Sequence, residues 1–288
     1  MSVKSKIPWW AKIAAKLLLS RLSLSYKLWE QLGLFKHGHM EKPAYAFGVF
    51  KEHFDKVEFE RKGKGFVALE IGPGDSLFSA MIARAFGASA IYLVDAGNFV
   101  RNDLQSYHAM QGLLVEKGLT TPKVENPSSL EQILSRCHAQ YKTDGLSSLR
   151  TIPDQSVDFI WSQAVLEHVR KSEFYDTILE FRRVLRPDGV CSHRVDLKDH
   201  LGGALNNLRF PDQLWESNFM ASSGFYTNRI RYSQMLSLYK QAGFDIDVLG
   251  VERWNTLPTP RARLAKCFRK FPDEELCISG FDVILRPI

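Results

Sequence analysis

Val67-Ala68-Leu69-Glu70-Ile71-Gly72-Pro73-Gly74-Asp75-Ser76, residues 67–76, is the stretch whose reading decides the fold. An apolar run with the texture of a buried strand enters Gly-x-Gly and then a helical pattern, SLFSAMIARAFG, that stops at Gly87. Glycines at such a turn let a ligand approach the backbone where side chains would block it. A second apolar run, SAIYLVDA, closes on Asp95 about 20 residues after the turn, where a carboxylate can accept from ribose hydroxyls. Strand, glycine turn, helix, strand and acid together predict a nucleoside-binding βαβ unit.

Working outward, the same alternation continues. LQSYHAMQGLLVEKG reads as a helix, AQYKTDG and SVDFIWSQ as strands, and FYDTILEFRRVLRPDG as a helix stopped by Pro187 and Gly189. VCSHRVD, FDIDVLGVER and CISGFDVILRP supply further strands, with YSQMLSLYKQAGF a helix before the last two. Strands alternating with helices predict an α/β fold: a Rossmann-like, seven-stranded, mostly parallel sheet with helices on both faces. The segment from Leu201 to Thr227 breaks the rhythm and reads as an inserted cap. The expected organisation is an N-terminal basic helical extension (1–60), the nucleoside-binding core (61–200), the cap (201–232) and the completion of the sheet (233–288).

A dinucleotide fingerprint needs a third glycine to open the helix to a pyrophosphate, and here Gly74 is followed by Asp75, Ser76 and Leu77. The acids at Glu70 and Asp75 suit a cationic ligand instead. From Phe66 to Asp196 the blocks LEIGPGDS, YLVDAGN, YKTDGLSSL, IPDQSVDFIWSQAVLEHV and FRRVLRPDGV resemble, in order and spacing, a class I S-adenosylmethionine-dependent methyltransferase of the type 11 group. Ser76 departs from the glycine that many members carry. The resemblance implies S-adenosyl-L-methionine as cofactor. It implies that Glu70, Gly72, Pro73 and Gly74 meet the methionine end, and that Asp95 holds the ribose. Asp144, Gly145 and Leu146 would meet the adenine, and Ser162 and Gln163 the region near the sulfonium.

Methyl transfer from a sulfonium needs an aligned nucleophile and, for a hydroxyl acceptor, a place for its proton. His193, Asp196, Asp199 and His200 cluster at and after the fifth strand, where the ligand crevice of an α/β sheet opens. His193 or His200 is the candidate base, its reference pKa of ~6.5 suiting that role, with Asp196 or Asp199 orienting it. A hydrogen-bonded histidine pair that merely stabilises the loop is the competing interpretation, and His168 is a further candidate. A divalent metal bridging these groups to a diol is a minor alternative, and no metal is predicted. In the cap, Trp215, Tyr226, Asn228, Arg229 and Arg231 are expected to bind an anionic or glycosylated acceptor, the alternative being structural ion pairs. The function expected is methyl transfer, at oxygen, to a small molecule or a glycan- or lipid-linked intermediate. The alternatives are a non-catalytic nucleoside-binding protein and, disfavoured by Asp75 and the missing glycine, a nicotinamide-dependent oxidoreductase.

At 288 residues with 45% hydrophobic and 24% charged residues, the chain excludes collagen-like and wholly disordered classes. The four cysteines include no CxxC pair, which points to a reducing cytoplasm. Six cations precede Glu30 and equal the whole net charge of +6, so the basic excess lies at a terminus and not around the cleft, and no nucleic-acid partner is expected. Residues 1–29 read as an amphipathic helix, either packed on protein or resting on an anionic membrane at its inner face. Oligomeric state is left open.

Overall fold

A computed structural model describes residue 10 and residues 39–120 and 129–288. The basic segment of residues 1–29 therefore lies, apart from residue 10, outside the described residues. Strands β1 (Val67–Ile71), β2 (Ala90–Val94), β3 (Ala139–Lys142), β4 (Val157–Gln163), β5 (Leu185–Asp196), β6 (Phe244–Arg253) and β7 (Ile278–Pro287) form one sheet in the order β3-β2-β1-β4-β5-β7-β6. The first five pair in parallel; β7 runs antiparallel to both β5 and β6. The strand order reverses between β1 and β4, so the carboxyl ends of these strands open a crevice. The seven-stranded, mostly parallel α/β sheet expected from the sequence is present.

Both faces of the sheet are covered, which is why β1 and β4 are mainly apolar and buried along almost their whole length. Helices α1 (Pro43–Asp55), α2 (Phe78–Ala85) and α3 (Leu104–Glu116) close one face around Phe50, Phe54, Phe66, Phe159 and Trp161. α4 (Leu130–Cys137) and α5 (Gly145–Leu149) are short elements that the sequence pattern did not disclose. On the opposite face, α6 (Phe174–Val184) packs Phe174, Ile178 and Phe181 over β4 and β5. α6 ends at Val184, not at Gly189, because Pro187 bars the residue before it from helical geometry. β5 accordingly begins at Leu185 and carries the Arg-Pro-Asp-Gly turn within it, with a register shift against β4 between Val157 and Phe159.

The cap is built from α7 (Asp212–Trp215) and α8 (Asn218–Ala221), packed around Leu201, Trp215, Met220, Phe225 and Tyr226. α9 (Tyr232–Gln241) then returns the chain to the sheet, and α10 (Lys266–Arg269) and α11 (Asp273–Leu276) fill the β6–β7 connection. Among the described residues no helix is long and apolar enough to cross a membrane.

Candidate active site

The cofactor side is assembled where β1, β2 and β3 end. Gly72 and Gly74 both take positive φ (+71° and +67°). A Cβ on Gly72 would lie 2.5 Å from Val165 on the turn after β4, whereas a Cβ on Gly74 would meet nothing within 4 Å. Asp95 spans the turn: Oδ2 accepts from the Gly74 N–H at 3.0 Å and Oδ1 from the Ala96 N–H at 2.7 Å. Beneath them Glu70 is 2% exposed, one carboxylate oxygen has no hydrogen-bond partner, and burial, reinforced by the charge of Asp95, pushes its pKa up to about 8. Ala96, Asp144, Gly145 and Leu146 line an open groove of about 450 Å³, a normal size for a small-molecule site. Two carboxylates, one short of partners, beside a glycine with open space in front of it fit a cationic nucleoside such as S-adenosylmethionine.

The acceptor side lies at the ends of β4 and β5. Ala164 turns the chain with φ +53°, a conformation costly for a residue with a side chain, and the 3₁₀ turn Leu166–His168 follows. Glu167 is 1% exposed, and its carboxyl lies against the backbone N–H groups of Glu167 and Asp196 without side-chain partners. Burial, with the nearby charge of Asp196 adding, holds its pKa well above the usual carboxylate range. His168 donates from Nδ1 to the Tyr226 carbonyl at 2.8 Å, and its ring stacks on His200 with centroids 4.7 Å apart. Asp196, half-buried at the end of β5, accepts from the Lys198 N–H at 2.8 Å, with Lys198 Nζ at 3.6 Å; burial raises its pKa. Asp199 organises the loop that presents His200, accepting from the N–H groups of Leu201, Gly202, Gly203 and Asn206. Four titratable side chains, Glu167, His168, Asp196 and His200, are thus gathered at one crevice.

Residues 69–192 match the family model described as a methyltransferase domain. The stretch so matched runs from β1 into β5 and takes in the glycine turn, Asp95 and Glu167. Among solved structures it is similar to an S-adenosylmethionine-dependent methyltransferase from Mesorhizobium loti (15% identity, TM-score 0.45, 82% of this chain and 96% of that one). It is also similar to one from Methanosarcina mazei (16% identity, TM-score 0.46, 83% and 97%) and to the YcgJ protein of Bacillus subtilis (15%, 0.43, 88% and 100%). No curated protein matches the sequence.

Several side chains lie elsewhere than the sequence suggested. His193 is in the sheet interior, 1% exposed, with Nδ1 2.8 Å from Ser162 Oγ and its ring stacked on Phe181 at 5.5 Å. Burial holds its pKa down at about 3, so it is a neutral packing residue and not a base. Ser162 is buried and engaged in that contact. Gln163 accepts from His53 at 2.9 Å; His53 also meets Ser192 at 2.8 Å, which ties α1 to the ends of β4 and β5. Sequence reasoning missed His53, which sits among the aromatics of α1 with no motif to mark it. Asp75 does not face the cofactor: it is buried against Arg101 at 2.9 Å, so it offers no repulsion to a phosphate, and only the absent third glycine separates the cofactor classes. Ser76 donates to the Met40 carbonyl. Asp199 shapes its loop by accepting from backbone N–H groups.

The cap residues are structural. Arg229 is 4% exposed, pairs with Asp212, donates to the Phe210 carbonyl and lies over the Trp215 ring. Trp215 donates to the Thr227 carbonyl, Tyr226 to Glu216, and Asn228 to the carbonyls of Leu166 and Val169. Arg231 is buried among backbone carbonyls. With most of their polar groups bonded inside the protein, these five hold the cap against the crevice.

The placement of His193 has a measurable consequence. A histidine whose folded pKa is depressed contributes stability that is full above its unfolded value of ~6.5 and is lost as pH falls toward the folded value. From pH 7 to 4, the stability advantage of the parent over His193→Gln is expected to shrink by about 3 kcal/mol, measured by urea unfolding. Glu70 and Glu167, shifted up, act with the opposite sign over the acidic range and flatten the parent's own profile, so the difference between the two proteins is the informative quantity. Parallel curves would place His193 in contact with water.

Proposed function

We propose that the protein transfers the methyl group of S-adenosylmethionine to an oxygen of a small molecule or of a glycan- or lipid-linked intermediate. The observation that carries this reading is the adjacency of two sets of groups. One is the Glu70, Gly74 and Asp95 cradle. The other is the cluster of Glu167, His168, Asp196 and His200 at the next strand ends. In this reading Asp95 accepts from the ribose hydroxyls, and Glu70 faces the cationic end of the cofactor. Asp144, Gly145 and Leu146 border the adenine. The methyl donor is already activated, so the protein's task is alignment and removal of the hydroxyl proton, which is taken up within the Asp196, His168 and His200 group. An amine acceptor would need no such group, which favours oxygen.

Asp95→Ala tests the cofactor half. Loss of hydrogen bonds to a charged acceptor is expected to weaken S-adenosylmethionine binding by ~1.5–3 kcal/mol, roughly ten- to 150-fold. Unchanged affinity in a folded variant would remove Asp95 from the ribose.

Residues 1–29 are proposed to rest on anionic membrane, because their cations are interleaved with Trp9, Trp10 and several leucines. The full chain is expected to sediment with phosphatidylserine-containing liposomes, and a chain beginning at residue 37 to remain in the supernatant. Equal partition of the two would count against this placement.

A further inference from the structure

We propose that the connection leading from the end of β6 into β7, residues 253–271, is a docking surface for an anionic phospholipid membrane. Beyond residue 29 the chain is neutral in sum, yet six cations and no acid lie between Glu252 and Asp273. Three of the six are engaged in holding the connection together. Arg261 pairs with Asp273 and donates to the carbonyls of Arg269 and Phe271, Arg269 donates to those of Ala262 and Leu264, and Arg253 to that of Glu274. The other three, Arg263, Lys266 and Lys270, are exposed, with no hydrogen bond or ion pair among the described residues. Phe268 anchors α10, buried with Leu205, Leu208, Leu264 and Leu276. Lys266 and Lys270 are one helical turn apart, on the side of α10 away from Phe268.

The fold brings this second basic stretch to the crevice end of the sheet. β6 ends where β7 begins, Arg253 opposite Ile278, and the start of β7 lies beside the end of β5, Gly280 opposite Asp196. The connection is also tied to the segment after the His200 loop. The Ala265 N–H donates to the Leu208 carbonyl at 2.8 Å, and the Leu205 N–H to the Thr259 hydroxyl at 3.2 Å. Met40 is held by Ser76 just past the glycine turn, so the six cations that precede Glu30 are tethered to the same end. Half-buried Trp254, Leu257 and Phe271 interleave with the exposed cations, and Lys270 Nζ lies 5.9 Å from the Phe271 ring. Cations mixed with aromatic and apolar side chains suit a bilayer's headgroup region. Three cations, each worth about fivefold in partition at an anionic surface, do not anchor a chain alone, because stable attachment takes two signals. Residues 1–29 and this surface supply the two, and together they hold the crevice mouth toward the bilayer.

Sedimentation of the full-length chain with phosphatidylcholine vesicles, with and without phosphatidylserine, tests the surface independently of methyl transfer. Combined Arg263→Ala, Lys266→Ala and Lys270→Ala is expected to lower partition onto the anionic vesicles at least roughly tenfold, with neither protein on the neutral ones. The control removes the same charge from the opposite end of the sheet. Lys64→Ala, Lys117→Ala and Lys240→Ala, also exposed, should change partition by no more than about twofold, since charges beyond a Debye length of the surface are screened. All six positions are exposed, and circular dichroism confirms that both variants fold. No affinity of the parent for anionic vesicles, parental binding by the first variant, or equal losses in both variants overturns the surface. Loss of polyuridylate binding with unchanged sedimentation also overturns it, assigning the cations to nucleic acid. If the chain beginning at residue 37 sediments as the full chain does and the first variant alone is released, residues 1–29 are removed from the membrane and this surface stands.

Discussion

His168→Ala and His200→Ala are each expected to lower methyl transfer ~10²–10⁴-fold, the usual worth of a group that handles a proton in the transition state, while leaving affinity for S-adenosylhomocysteine unchanged. The separation follows from the geometry. Both imidazoles stand at the β4 and β5 ends, whereas the cofactor cradle is made by the β1 and β2 turns and the groove beyond β3. Transfer of labelled methyl from S-adenosylmethionine to co-purifying metabolites, read by mass spectrometry, supplies the assay and identifies the acceptor. His193→Gln is the control: buried against Phe181, it should retain turnover wherever it stays folded. If His193→Gln lost turnover and the other two kept it, the chemistry would sit on the wrong side of the sheet for this account.

Arg231→Ala is expected to destabilise the protein by about 3–5 kcal/mol, measured by urea unfolding, a larger loss than any single cap contact. Its guanidinium, 1% exposed, donates to the carbonyls of Leu197, Glu275, Leu276 and Ile278, which belong to the segment after β5, to α11 and to β7. Burial lowers its pKa to about 10, and it stays charged at neutral pH. Removing it strands several buried acceptors and leaves a void, and both terms add. Arg231→Lys should recover only part, because an ammonium cannot reproduce the planar fork. A loss below about 1 kcal/mol would mean that those carbonyls find water.

What the sequence disclosed divides along physical lines. The strands were legible because a sheet covered on both faces demands mainly apolar runs, and Asp95 was legible because the βαβ unit fixes where the second strand ends. The same burial hid the role of His193. On a strand covered on both sides, alternation does not say which side chains meet solvent, so a histidine three residues before the strand end looked like one in the crevice. Arg229 and Arg231 read as anion ligands because their acceptors, backbone carbonyls distant in sequence, leave no trace in composition. His53 was invisible for the converse reason: it belongs to an aromatic stripe, and only the packing of α1 on the sheet brings it to Gln163 and Ser192. Glu167 and His168 stood beside each other in the sequence, but their convergence with His200 depends on a loop whose shape Asp199 sets.

Parallel calorimetric titrations of the full-length chain with S-adenosylhomocysteine and with NAD test the central claim most directly. The structure puts a carboxylate pair, Glu70 and Asp95, at a turn that lacks the third glycine of a dinucleotide site. It therefore predicts saturable binding of S-adenosylhomocysteine at one site, weakened roughly ten- to 150-fold in Asp95→Ala, and no heat from NAD. Binding of NAD without S-adenosylhomocysteine, by a chain shown to be folded, would contradict the account.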